Sequence, residues 1–271
     1  MTDQLTGTDV SVRTTDIAAG WDTIGGVPNG AYLLAEALRT AAESFDGAVP
    51  LTVTAHYLRP GAVGPAEVAT EVVRRGKRTS TGAIRLEQAG KERVRALVTY
   101  GDPAAHTGAV VFAPAAPVVP PPDECVAPSH KMALALHASM VERFEYRVAP
   151  PARWLGGTAE RAGLDAWIRL ADGRDADLYA LVLFADAFPA AVLEVADGMA
   201  PTIEMTVHLR RQPAPGWIQA RTGSRMLAGG LVEQDVELWD SRGDLVAMSR
   251  QLMTFTELDL GTAPRRSATP A

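Results

Sequence analysis

One acidic residue stands out within a stretch that is otherwise apolar. Asp186 lies in the segment LVLFADAF, whose other members are all hydrophobic. A carboxylate is costly to bury unless it is hydrogen-bonded or paired, and a buried carboxylate with partners is a candidate general base. The alternative is an Asp at a helix end that faces water just before the break at Pro189.

Two polar residues farther along the chain can be interpreted in more than one way from their local sequence. Thr202 follows Pro201 at the start of a predicted strand, where Thr is common for structural reasons alone. Gln251 shares one face of the last predicted strand with Ser249 and Met253. It is therefore either buried and hydrogen-bonded or placed at the rim of a sheet.

Other reactive residue types do not form recognisable sites. Cys125 is the only cysteine, so it has no intrachain disulfide partner, and there is no Cys-x-x-Cys zinc motif. His56 and His208 occupy equivalent strand positions, which favours a structural role for both. No Gly-x-Ser-x-Gly elbow is present. We expect chemistry that needs neither a metal nor a cofactor.

Composition narrows the class of protein. The 271 residues are 47% hydrophobic and 21% charged, which is typical of a globular protein. The net charge of −6 disfavours nucleic-acid binding. The first 15 residues lack the apolar core of a signal peptide, and no run approaches the ~20 apolar residues that span a bilayer. We therefore expect a cytoplasmic protein without a membrane span.

Hydrophobic periodicity predicts two helices, each followed by four strands. Leu33, Leu34 and Leu38 give residues 29–45 one apolar face, whereas residues 175–188 are apolar on nearly every side and should be buried. Turn signals bound the strands, which are predicted at 51–59, 66–74, 80–88 and 93–100, at 202–211, 217–225, 231–239 and 245–255, and, before the second helix, at 144–148 and 164–170.

The two halves repeat one another. When the two halves are aligned, residues 54–59 (TAHYLR) match residues 206–211 (TVHLRR) at an offset of 152. Residues 94–96 match residues 245–247 at an offset of 151. Two such units could join their sheets edge to edge, which would hide two exposed strand edges. We predict an α+β double hotdog fold, with each long helix wrapped by an antiparallel sheet. Its parts are an N-terminal hotdog at 1–108, a Pro-rich linker at 109–130, a C-terminal hotdog at 131–258 and a flexible tail at 259–271.

The candidate polar residues are not repeated in the first copy. At the offset of the duplication, Asp186 falls near Leu34, Thr202 near Pro50 or Leu51, and Gln251 on Tyr100 or Thr99. Residues that served only the fold would be expected in both copies. The second copy is therefore predicted to hold the chemistry.

Several segments, in this order and spacing, resemble the TesB-type acyl-CoA thioesterases. They are 21–34 (WDTIGGVPNGAYLL), 53–60 (VTAHYLRP), 184–189 (FADAFP), 200–209 (APTIEMTVHL) and 238–251 (LWDSRGDLVAMSRQ). The resemblance implies that Asp186, Thr202 and Gln251 hold and polarise one water for attack on a thioester carbonyl. It also implies an acyl-CoA substrate and a homo-oligomer.

The resemblance gives a role to one basic cluster and leaves two rival functions open. Arg74, Arg75, Lys77 and Arg78 form either a solvated loop or a contact to the phosphates of coenzyme A. One rival function is a non-catalytic acyl-CoA-binding protein. The other is a hotdog enzyme of the enoyl-CoA hydratase type. Glu204 and His208 are the nearest match in this sequence to the Asp and His that such an enzyme requires.

Overall fold

Antiparallel strands are the main regular structure in the chain that the computed structural model describes, which is residues 10–106, 108–109 and 111–258. The predicted tail at 259–271 lies outside the described residues. The elements of the first half are β1 (Val10–Ile17), β2 (Asp22–Thr23), β3 (Val27–Pro28), α1 (Gly30–Ala41), β4 (Val49–Tyr57), β5 (Gly64–Arg74), β6 (Thr79–Gln88) and β7 (Lys91–Gly101).

The second half follows the same plan. Its elements are α2 (Lys131–Ala135), β8 (Phe144–Val148), β9 (Gly163–Leu170), α3 (Leu178–Phe184), β10 (Gly198–Met199), β11 (Thr202–Leu209), β12 (Ile218–Gly223), β13 (Leu227–Ala228), β14 (Leu231–Trp239), β15 (Leu245–Thr254) and β16 (Thr256–Glu257). The predicted strands agree with these bounds to within about two residues, and 144–148 and 231–239 coincide with β8 and β14.

One large sheet joins the two halves. Its strand order is β1-β5-β6-β7-β4-β11-β15-β14-β12-β9-β8, with β13 paired to β14. The first five strands belong to the first half and the rest to the second, so β4 and β11 form the seam. Each half would otherwise expose the edge of its inner strand, and this antiparallel pairing satisfies both edges.

At the centre of the seam, equivalent residues of the two copies face each other. Thr54 lies opposite Thr206, and their hydroxyl oxygens are 2.9 Å apart. Thr52 lies opposite His208 on one side of this pair. The offset of 152 that the sequence suggests is therefore also the relation between the two seam strands.

Helix α1 confirms the first predicted helix and packs under the sheet. Asn29 caps its N-terminus, since the Asn29 side chain accepts a hydrogen bond from the Tyr32 N–H. Leu34 and Leu38 are fully buried in the core. The α-helix ends at Ala41 and continues as one 3₁₀ turn to Phe45. The hydrophobic core that contains Leu34 and Leu38 includes residues from Ile17 in β1 to Ala247 in β15, so both halves share one hydrophobic interior.

Helix α3 is shorter than the sequence suggests. It begins after its cap residue Asp177 and ends at Phe184, whereas the prediction extended it to residue 188. Ala185, Ala187 and Phe188 are buried, but residues 185–188 form a turn that leads to Pro189. Apolar composition marks burial and not helicity, so it extended the predicted helix beyond its true end.

The Pro-rich segment lies against the second half. The Trp167 indole donates to the Pro120 carbonyl at 2.8 Å, and the Gln219 amide donates to the Pro117 carbonyl at 2.7 Å. Val126 forms a bridge with Val148 at the edge of β8. The segment is extended, as its prolines predict, and side chains of the second half hold it in place.

Candidate active site

Asp186 lies in the turn that follows α3, and not within the helix as the sequence suggests. The Asp186 N–H donates to the Leu183 carbonyl at 3.1 Å, which continues the helical path for one further residue. The Tyr146 hydroxyl then donates to the Ala187 carbonyl at 2.8 Å. The turn thus fixes the direction in which the Asp186 carboxylate points, which is into a cavity between the two halves.

Three groups donate hydrogen bonds to the Asp186 carboxylate. The Asn29 amide donates to Oδ2 at 2.9 Å, and the other donors are the Ala31 N–H and the Gln251 side chain. Burial nevertheless dominates and raises the pKa of Asp186 from 3.8 to about 6. The residue is partly accessible from the cavity, although it is surrounded by protein on its other sides. Three donors leave part of its acceptor capacity unused.

Asn29 is a site residue that the sequence analysis missed. Its Oδ1 accepts the Tyr32 N–H at 3.0 Å, so its Nδ2 must face the other way, toward Asp186. One residue therefore caps α1 and holds the carboxylate. The available signal was an Asn between Pro28 and Gly30 at a helix start, which predicts a cap but says nothing about a partner in the other half.

Gln251 and Thr202 extend the hydrogen-bonded set. Gln251 is 2% exposed and lies on the inner face of β15, as do Ser249 and Met253. Its Oε1 accepts a hydrogen bond from the Thr202 hydroxyl at 2.9 Å. That bond orients the Gln251 amide so that its NH₂ group donates to the Asp186 carboxylate. The structure thus brings together all three predicted residues and adds Asn29.

The cavity beside this set has a volume of about 500 Å³ and a largely apolar lining. Both halves contribute to it, together with the segment that precedes β8. Cavities of this size with a few convergent polar groups are typical of small-molecule sites. Six of its apolar lining residues are Ile24, Leu33, Met140, Trp154, Phe188 and Leu193.

Glu194 positions Trp154, which forms part of the cavity lining, through hydrogen bonds to the backbone. Its carboxylate accepts the Trp154 N–H at 3.2 Å and the Arg153 N–H at 2.5 Å. The Arg153 guanidinium pairs with Asp197. The Trp154 ring packs edge-on against Tyr146, whose hydroxyl holds the Asp186 turn. The apolar wall and the carboxylate are thus positioned by one connected set of contacts.

Strand register shows what replaces the polar set in the first copy. Gln251 lies opposite Met205 on the neighbouring strand, and Val98 lies opposite Val53 in the same way. The counterpart of Gln251 is therefore Val98, and not Tyr100 or Thr99 as the sequence offset suggests.

Strand register also gives the first-half counterpart of Thr202, and the helix caps give that of Asp186. Thr202 matches Pro50, as predicted, and a β-bulge follows each of them. Alignment of the two helix caps, Asn29 and Asp177, places Asp186 on Leu38 and not on Leu34. Each counterpart is apolar, so this polar set occurs in the second half without an equivalent in the first.

The basic cluster at Arg74, Arg75, Lys77 and Arg78 is not brought to the cavity. It extends from Arg74, the last residue of β5, through the turn that leads to β6, at the sheet end where Thr79 pairs with Gly101. Tyr57, which lines the cavity, lies at the opposite end of β4 and pairs with Val94. Among the described residues that line the cavity, the basic one is Arg59, which is exposed.

Glu204 and His208 lie on the outer face of the sheet. The Glu204 carboxylate accepts the Thr206 hydroxyl at 2.7 Å, and His208 Nδ1 lies 3.1 Å from the Thr52 hydroxyl. Neither residue lines the cavity beside Asp186. The Glu and His spacing therefore does not provide the setting that a hydratase would need.

Comparison with protein families identifies the chain. A family model of the acyl-CoA thioesterase N-terminal domain matches residues 17–101, and one of the acyl-CoA thioesterase C-terminal domain matches residues 121–255. The chain belongs to the acyl-CoA thioesterase family.

Among the described residues, the helices are too short or too polar to span a bilayer.

Solved structures are similar over nearly the whole acyl-CoA thioesterase chain. A protein from Thermobifida fusca assigned as a thioesterase II is 29% identical, with a TM-score of 0.80 over 91% of this chain and 92% of its own. A hot dog fold protein of unknown function from Alicyclobacillus acidocaldarius is 20% identical, with a TM-score of 0.81 over 91% and 94%. The acyl-CoA thioesterase II TesB2 from Mycobacterium marinum is 16% identical, with a TM-score of 0.72 over 92% and 94%. The hotdog fold and the TesB-type resemblance are confirmed.

Proposed function

We propose that the chain hydrolyses acyl-CoA thioesters with a water molecule positioned by Asp186, Gln251 and Thr202. The observation that carries this proposal is the Asp186 carboxylate, held by three donors at an apolar cavity, with its pKa raised to about 6. A base with a pKa near the working pH combines a large ionised fraction with useful basicity. The acyl chain would occupy the apolar part of the cavity.

Hydrolysis needs one proton to be moved twice. Asp186 accepts a proton from the water while the water oxygen bonds to the thioester carbon, and the C=O electron pair moves to the carbonyl oxygen. When that pair returns, the C–S bond breaks, and the protonated Asp186 supplies the proton that converts the leaving thiolate into the CoA thiol. Asn29 and Gln251 keep the carboxylate oriented through both transfers.

The two rival functions have less support from the site. A protein that only binds acyl-CoA would gain nothing from a buried carboxylate, whose desolvation costs stability. A hydratase of the hotdog type would need its acidic residue and His at the cavity, whereas Glu204 and His208 lie on the outer face. The hydrogen-bonded set around Asp186 instead suits the activation of water.

We propose that the two halves are tandem hotdog units, each with its sheet around one helix, although α3 has only seven residues. We also propose a homo-oligomer and a cytoplasmic location. The seam of β4 and β11 occupies the inner edges of both half-sheets, so any further assembly would use other surfaces.

A thiol-release assay across acyl-CoA chain lengths tests the proposed function. Wild type should release CoA from at least one chain length, and Asp186→Asn should lower kcat by about a thousandfold or more with the fold retained. His208→Gln is a matched control on the outer face and should keep wild-type kcat. Full activity of the Asp186 variant would exclude this residue as the base. Hydration of an enoyl-CoA in place of thiol release would favour the hydratase function.

A further inference from the structure

Tyr57 lines the cavity, and its buried hydroxyl has no hydrogen-bond partner among the described residues. It is the last residue of β4 and continues the inner face that carries Val53 and Ala55, both fully buried. The Tyr57 ring lines the same cavity as Asp186. Its hydroxyl oxygen is buried, and among the described residues no group hydrogen-bonds to it.

Other tyrosine hydroxyls in the core are satisfied. The Tyr100 hydroxyl donates to the Leu38 carbonyl at 2.7 Å, and the Tyr146 hydroxyl donates to the Ala187 carbonyl at 2.8 Å. The Tyr32 hydroxyl accepts the Ala18 N–H at 2.9 Å. A buried polar group without a partner is destabilising. Among the described residues six other buried side-chain atoms also lack a partner, but only Tyr57 of these residues lines the cavity, so a bound molecule is the partner that its hydroxyl could gain.

The position of the Tyr57 ring is fixed by the same helix start that holds Asp186. A Cβ atom on Gly30 would lie 2.8 Å from Cε1 of the ring, so the ring rests directly on the first residue of α1. The preceding residue, Asn29, donates to the Asp186 carboxylate. Tyr57 and Asp186 are therefore held against adjacent residues of one rigid element.

The hydroxyl stays protonated in this environment. Burial, followed by the charges of Asp186 and Glu204, raises the pKa of Tyr57 well above its ordinary value of 10. A neutral phenol is a hydrogen-bond donor, and the nearby carboxylate is already served by Asn29, Ala31 and Gln251. The unused donor thus lies beside the proposed base but is not bound to it.

We propose that Tyr57 is a further catalytic residue, whose hydroxyl donates a hydrogen bond to the carbonyl oxygen of the bound thioester. This inference rests on the proposed function. When water adds to the carbonyl carbon, the oxygen gains negative charge and the hydrogen bond strengthens, which lowers the barrier. Tyr57 keeps its proton throughout, because the proton that moves is exchanged between water, Asp186 and the leaving sulfur.

Tyr57→Phe tests this role, with Tyr100→Phe as the matched control. Tyr57→Phe should lower kcat by about 100-fold, which is the usual effect of losing one oxyanion donor, and should leave Tm unchanged or higher, because the unpaired hydroxyl is removed. Tyr100→Phe should lower Tm and keep kcat, because it breaks a satisfied bond far from the cavity. Wild-type kcat in Tyr57→Phe, or a fall in Tm with kcat retained, would overturn the proposal.

A binding measurement separates this proposal from the proposed function. In the Asp186→Asn background, Tyr57→Phe should raise the Kd of an acyl-CoA about 3- to 10-fold, the effect of one neutral hydrogen bond. It should not change the Kd of the matching S-alkyl-CoA thioether, which has no carbonyl oxygen. Equal effects on both ligands would refute the contact. If wild type bound both ligands but released no thiol, the hydrolase proposal would fail, while the difference between the ligands would still decide the role of Tyr57.

Discussion

The side-chain amide of Asn29 donates to the carboxylate of Asp186 at 2.9 Å, across 157 residues of sequence. Asn29 begins a helix of the first half, and Asp186 follows a helix of the second half. The first copy therefore does more than form the wall of a cavity, because its helix cap holds the proposed base of the second copy.

Replacing Asn29 by Ser should separate these two roles. Ser retains a helix cap, but its side chain is too short to cap the helix and reach the Asp186 carboxylate as well, so Tm should stay near that of wild type while kcat falls at least tenfold. Because the Asn29 bond lowers the pKa of Asp186, its loss should raise this pKa and move the acid limb of the pH–rate profile to higher pH. Kinetics over pH 5–9 and thermal unfolding measure both effects.

Asp177→Ser is the matched control for that variant, because Asp177 caps α3 in the same way. It should leave the acid limb where it is in wild type. A shift of the limb in the Asp177 variant, or none in the Asn29 variant, would contradict the assigned role of Asn29.

The pH dependence of wild type should follow the ionisation of Asp186. The base works only when it is deprotonated, so kcat/KM should rise with pH and level off above an apparent pKa of about 6. Below that pH, the rate should fall about tenfold per unit. A limb near pH 4 would mean that the carboxylate is not desolvated in the free enzyme.

Asp186→Asn should change stability in a pH-dependent way. The pKa of Asp186 is raised in the folded protein, from 3.8 to about 6, so wild type loses stability as the pH rises through this range and is flat above it. Near neutral pH, the Asn variant should be more stable by about 1–3 kcal/mol. This advantage should disappear below about pH 4, where Asp186 is protonated in both states. Urea unfolding at pH 4 and pH 8 tests it, and an equal difference at both values would contradict the mechanism.

Thr202 and Gln251 should behave as one unit. The Thr202 hydroxyl orients the Gln251 amide, so Thr202→Val should lower kcat about tenfold, and Gln251→Leu should lower it further. The double variant should be no worse than Gln251→Leu alone, because Thr202 acts only through Gln251. Additive losses in kcat would mean that Thr202 has a separate contact with the substrate.

Recognition of the CoA phosphates should depend more on Arg59 than on the turn between β5 and β6. Arg59→Ala should raise KM for acyl-CoA several-fold and keep kcat, since Arg59 is exposed at the cavity. Replacing Lys77 and Arg78 by Gln should leave KM unchanged, because this turn lies at the other end of the strands. The opposite result would support the prediction made from the sequence.

The parts of the fold that could be predicted are those that local pattern determines. Alternation and turn residues gave β14 and β8 at their observed bounds. The end of α3 was missed because Ala185, Ala187 and Phe188 are buried without being helical. The strand β1 was not located, since its outward-facing residues Val10 and Val12 are exposed and its register comes from pairing with β5.

The site shows the same division. Asp186 was found because a carboxylate among apolar residues needs partners, but its partner Asn29 could not be found locally. The counterpart of Gln251 was misplaced because the offset between the copies is 152 at the seam strand and 153 on the next strand, as the pairs Val53–Val98 and Met205–Gln251 require. Only the hydrogen-bond register reveals such a change.

The meeting of Thr54 with Thr206 at the centre of the seam also bears on how this protein could arise. In a symmetric homodimer of single copies, only the seam residue on the two-fold axis would face its own equivalent, and every substitution would appear twice. Fusion of the two copies into one chain removes that constraint. Val98 could then remain apolar while Gln251 became a hydrogen-bond partner of the Asp186 carboxylate. The covalent link thus allows one copy to carry the catalytic centre while the other copy supports it.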